Sequence, residues 1–121
     1  MLTDRYLAGI PDDSRAAKAH GFLRREAITV ERVAKIRRLS EMARQRSQSL
    51  AQLAVAWVLQ NDNVAAAIIG ASRPEQVAEN VKAAGVTLED DVMAAIDSAL
   101  GDAVIRDPGL TAARAPQKRP V

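Results

Sequence analysis

Between Gly70 and Asn80 the chain reads GASRPEQVAEN, a junction whose residue types can hold an anion and a heterocycle side by side. A helix opening here offers unpaired backbone N–H groups and the positive end of its dipole, and Gly70 lets a ligand approach the backbone closely. Ser72 adds a hydroxyl and Arg73 a charged fork, which together suit a phosphate monoester. Gln76, Glu79 and Asn80 follow at spacings of three and four, so their amide and carboxylate groups fall on one helix face and match the edge of an adenine. The same letters also describe a plain capped helix. Ser72 with Glu75 is a capping-box pattern, in which case Gln76, Glu79 and Asn80 simply face water.

The elements that must position this junction follow from the patterning on either side. Residues 1–28 are rich in Gly, Pro, Asp and Ser, a composition that favours a long irregular connection. From Thr29, Val30, Val33, Ile36, Leu39 and Met42 recur at helical spacing, with Arg and Lys on the other faces. Ser49 with Gln52 forms a first capping box, placing a helix start at Leu50; from there to Leu59 only Gln52 is polar, which predicts a helix covered on nearly every side. VAAAII, residues 64–69, suits a short parallel strand buried on both faces, with a helical segment as the alternative that periodicity alone does not separate. Pro74 suits the first turn of the next helix, Val77, Val81 and Ala84 give it an apolar stripe, and Gly85 ends it. Thr87 with Asp90 opens a last helix that stops at Gly101. The expectation is thus a loop over 1–28, helices over 29–60, a strand at 64–69, helices over 73–100 and a disordered tail over 101–121.

Composition narrows the function classes. The chain has 121 residues, 48% of them hydrophobic, enough for one domain with an ordinary core. Aromatic residues make up 2%, so stacking platforms for single-stranded nucleic acid are not available. Cysteine is absent, which removes thiolate catalysis and Cys-based zinc sites and suits a reducing, cytoplasmic compartment; no metal site is read. No stretch approaches the roughly 20 apolar residues of a membrane span. Residues 1–46 carry 11 Lys/Arg against 6 Asp/Glu, but charge alone supports nucleic-acid binding there, and neither nucleic acid nor membrane is expected as a partner.

Three segments carry a family resemblance. GASRPEQVAEN resembles the cofactor-binding segment of aldo-keto reductases, SLAQLAVAWVLQ the helix that precedes their last strand, and LTDRYLAGIPDDSRA the loop after their seventh strand. The last is in the form found in the branch with glyceraldehyde-phosphate reductase-like enzymes and potassium-channel β subunits. The resemblance covers residues 1–100 and implies an α/β fold, the C-terminal part of a (β/α)8 TIM barrel. It further implies that Gly70 and Ser72 contact the 2′-phosphate region of NADPH and that Arg73 neutralises that phosphate. Gln76, Glu79 and Asn80 would hold the adenine end, while Arg5 and Arg15 would reach the pyrophosphate or adenosine side.

The family's proton donor is a tyrosine tuned by a lysine, an aspartate and a histidine, and no residue here matches that tetrad. The lone Tyr6 and His20 are not placed to substitute, so no catalytic residue is assigned. Since such a barrel takes roughly 250 residues, the chain is expected to be a C-terminal portion of an enzyme acting on a small carbonyl substrate. The alternative is a non-catalytic remnant or interaction module that docks on a partner or self-associates through its strand edge and apolar helices. Either way, surfaces built to be covered by more barrel predict low stability.

Overall fold

A computed structural model describes residues 6–12, 14, 25–105, 107 and 109. Among the described residues, a 3-10 turn at Arg25–Ala27 is followed by four helices, α1 (Val30–Gln45), α2 (Leu50–Leu59), α3 (Pro74–Val81) and α4 (Asp90–Leu100), and a 3-10 turn at Gly101–Ala103. Helix α1 packs against both α2 and α4, and α2 packs against α3. No helix among the described residues is long and apolar enough to cross a membrane.

The first two helices start as their sequences dictate. Thr29 caps α1, its hydroxyl accepting from the Arg32 N–H at 3.2 Å. The capping box of α2 is complete: Ser49 Oγ accepts from the Gln52 N–H, and Gln52 Oε1 accepts from the Ser49 N–H. The apolar face of α1 runs through Ile36, Leu39 and Ala43, which meet Leu50, Leu53 and Ala56 of α2, Ile96 and Ala99 of α4, and Ala83 and Leu88 between α3 and α4. Val30, at the start of the predicted stripe, is 89% exposed, because it precedes the stretch of α1 that the neighbouring helices cover. Helix α2 is only half covered: Leu50, Gln52, Leu53 and Ala56 are buried, while Val58 faces outward.

Residues 64–69 form no strand, against expectation. A strand buried on both faces needs neighbours to take its N–H and C=O groups, and no strand exists among the described residues to do so. Ile68 is consequently fully exposed. The apolar stripe of α3 is uncovered for the same reason, with Val77 and Val81 exposed and Ala83, just beyond the helix, taking the buried place.

The connection into α4 also differs from expectation. Helix α4 begins after Glu89 with no side-chain cap, and Thr87 is not its cap residue. Two contacts hold residues 87 and 88 out of the helix: Arg46 donates to the Thr87 carbonyl, and the Leu88 N–H donates to Gln60 Oε1. The Gln60 amide nitrogen donates in turn to the Val86 carbonyl at 3.0 Å. Gly101 ends α4 at φ 52, in the left-handed region, as its position foretells. Of the expected disordered tail, Gly101–Ala103 is the 3-10 turn, and most of residues 106–121 lie outside the described residues.

Ion pairs fasten the ends of α1. Arg46 pairs with Glu89 at 2.6 Å, and Lys35 pairs with Glu31 and Asp102. A bond from its own backbone N–H and the Arg46 guanidinium hold the Glu89 carboxyl below its ordinary value of 4.5. The Lys35 hydrogen bond holds Asp102 below 3.8, and the same contact raises Lys35 above 10.5. A depressed carboxyl stabilises the fold above its unfolded pKa and loses that contribution as pH falls through its folded value. The raised lysine contributes fully below 10.5 and loses its share as pH rises through its folded value. Melting temperature followed from pH 7 down to pH 2 should therefore fall less steeply for Glu89→Gln and Asp102→Asn than for the parent chain; parallel curves would show that these pairs do not contribute.

Candidate functional site

The junction is built from the irregular segment ending at Gly70 and the first turn of α3. Pro74 takes the N1 position, which its missing N–H and fixed φ suit, so the cap residue is Arg73, at φ −143 and ψ 145. This moves the helix start one residue beyond the Ser72 expected from the capping-box pattern. Glu75 then stands at N2 and does not close a box; the third helical residue is Gln76. Its Oε1 reaches back to accept from the Ser72 N–H at 2.8 Å and the Ser72 hydroxyl at 3.2 Å. Helix α3 has no side-chain cap; Pro74 carries no N–H and the Gln76 N–H donates to the Arg73 carbonyl at 3.1 Å, so among the described residues the Glu75 N–H is the first-turn donor left open to an outside acceptor.

Arg73 is exposed, and its guanidinium makes no hydrogen bond or ion pair among the described residues. At Gly70, also exposed, an added Cβ would meet no atom within 4 Å, so the space above its backbone is clear. A guanidinium with no partner among the described residues, an uncapped helix start and unobstructed backbone fit a phosphate group.

One turn on, the other expected residues divide. The Asn80 side chain is half-buried and makes no hydrogen bond among the described residues. Glu79 is occupied on both carboxylate oxygens: Lys82 Nζ meets Oε1, and Gln52 Nε2 donates to Oε2 at 2.9 Å. Gln52 also donates to the Glu79 main-chain carbonyl at 2.9 Å. Ser72, Arg73 and Gln76 thus gather at the start of α3, while Glu79 is turned toward α2. Gln52 is a contact that sequence reasoning assigned only to capping. Arg5 and Arg15 lie outside the described residues, as does His20, and Tyr6 is buried.

Other openings carry less chemistry. A cleft of about 880 Å³ between the start of α1 and the end of α4 is lined by Glu31, Arg32, Lys35 and Asp102, among others, but Lys35 is already paired with both acids. No cluster of three or more His, Cys, Asp or Glu that could hold a metal occurs among the described residues.

Comparison with known proteins bears on the whole segment. The model of the Aldo/keto reductase family matches residues 1–100. L-glyceraldehyde 3-phosphate reductase of Escherichia coli (strain K12) is 42% identical over 106 residues, covering 84% of this chain and 31% of that protein. A putative voltage-gated potassium channel subunit beta of Schizosaccharomyces pombe is 41% identical over 86 residues, covering 69% of this chain and 25% of that protein. The chain spans at most about a third of the length of these relatives.

Proposed function

Because this chain belongs to the aldo/keto reductase family, we propose that it is the cofactor-clamping portion of an NADPH-dependent reductase of aldehydes or ketones. It corresponds to the C-terminal part of a (β/α)8 barrel and works in the cytoplasm. The observation that carries the reading is the Arg73 guanidinium, unpaired among the described residues, at the uncapped start of α3 beside the open backbone of Gly70. A 2′-phosphate there would receive charge from Arg73 and the N–H of Glu75 in the first helical turn, with Ser72 alongside.

Gln76 and Asn80 line the helix toward the adenine, Glu79 stands between them held by Gln52 and Lys82, and Arg5 and Arg15 serve the pyrophosphate or adenosine side. NADPH, when bound, supplies the hydride that reduces a carbonyl. This chain's residues bind and orient. Proton delivery to the carbonyl oxygen is assigned to residues outside this sequence, and the 121-residue chain alone is expected to be inactive.

Fluorescence titration of the chain with NADPH, with NADH as control, tests the reading. Micromolar binding that prefers NADPH is the expected outcome; equal binding of both would remove the phosphate site from the junction.

A second reading rests on Ile68, Ile69, Val77 and Val81, which are all exposed. Apolar side chains so grouped in sequence favour association with a partner or with a second copy. Sedimentation velocity across a hundredfold range of concentration distinguishes a self-associating chain from a monomer.

A further inference from the structure

Gln52 joins two helices through one side chain. It is 6% exposed, and its oxygen and both amide hydrogens are all used: Oε1 accepts from the Ser49 N–H at the start of α2, while Nε2 donates to the Glu79 carbonyl and to Glu79 Oε2 on α3. Buried amides satisfied on every side hold their partners in one geometry, because a displaced partner leaves a polar group unpaired away from water. The capping box therefore continues past α2 and ends on the residue assigned to the adenine side. Its outer end is fastened by Lys82, which meets the other Glu79 oxygen.

We propose that Gln52 is a positioning residue for cofactor binding: it sets the placement of α3 through Glu79, and with it the face carrying Arg73, Gln76 and Asn80. This rests on the reading of α3 as the cofactor helix. Gln52 contacts no ligand itself; it acts through Glu79.

The chemistry of the amide allows its two roles to be separated. Gln52→Glu keeps an oxygen to accept from the Ser49 N–H but loses both donors and sets a second carboxylate against Glu79. The exchanged pair Gln52→Glu with Glu79→Gln restores one donor and one acceptor across the contact in the opposite sense. At pH 8, Gln52→Glu should weaken NADPH binding about tenfold, the scale of a hydrogen bond to a charged group, and speed amide hydrogen exchange in residues 79–83. The exchanged pair, which restores the side-chain contact but not the donor to the Glu79 carbonyl, should slow that exchange part of the way back.

Helical circular dichroism checks folding. If Gln52→Glu fails it, Gln52→Met, which adds no charge, takes its place and should show the same faster exchange and weaker binding. Unchanged exchange in residues 79–83, or faster exchange with unchanged NADPH binding while Arg73→Ala weakens it, would overturn the positioning role and leave the cofactor reading standing. If the parent chain does not bind NADPH, or if neither Arg73→Ala nor the Gln52 variant alters binding, the cofactor reading falls and the positioning role with it.

Discussion

Replacing Arg73 by Ala is expected to weaken NADPH binding by about tenfold to a hundredfold while leaving NADH binding within about twofold. A hydrogen bond to a charged partner contributes about 1.5–3 kcal/mol, and each 1.4 kcal/mol is about a tenfold change in affinity. Arg73 has no competing partner among the described residues, so its guanidinium is available without first breaking an ion pair. Arg73→Lys should fall between the two, since it keeps the charge and loses the planar fork. Because the site is exposed, the preference for NADPH should shrink as salt rises. Titration of both nucleotides at two salt concentrations is the check. An equal loss for NADPH and NADH would mean that Arg73 shapes the helix start rather than meeting a phosphate.

Leu53→Ala is expected to destabilise the chain by about 2–5 kcal/mol, the range for removing a fully buried leucine. Leu53 is 2% exposed and sits in the core that joins α2 to its neighbours. Small domains hold only about 5–15 kcal/mol in total, and this one has little reserve. Of its eleven buried hydrophobic residues among those described, four are alanine, which removes little surface from water. The variant should therefore unfold at much lower urea, followed by circular dichroism, and should lose NADPH binding with it. Val58→Ala, on the outward face of the same helix, should shift the midpoint only slightly. Equal shifts for the two would show that the helical cluster is not the cooperative unit.

What the sequence made legible was mostly local. The start of α2 was readable because both halves of its capping box lie within four residues. The glycine at 101 was readable as a stop because a left-handed terminus favours that residue. Residues 64–69 misled because a continuous apolar run reports burial in a sheet, and whether strands flank it is decided elsewhere.

The start of α3 was misplaced by a single residue. Pro74 prefers N1, and once it takes that place the third helical position belongs to Gln76 instead of Glu75. At the start of α4, Arg46 and Gln60 decide the outcome from positions distant in sequence. The candidate site itself was visible as residue types in a row. Which of those residues are free and which are already engaged was not, since Glu79 is claimed by a glutamine 27 positions away.

Two glutamines, Gln52 in α2 and Gln60 just after it, grip the last turn of α3 and the segment that follows largely by the main chain: Gln52 at the Glu79 carbonyl, and Gln60 at the Val86 carbonyl and the Leu88 N–H. A segment held by its backbone places little demand on its own letters. Exposed positions such as Ala84 and Thr87 can therefore drift widely, provided the two glutamines stay. A selection library randomised across those positions should return many folded members, whereas one randomised at residues 52 and 60 should return few.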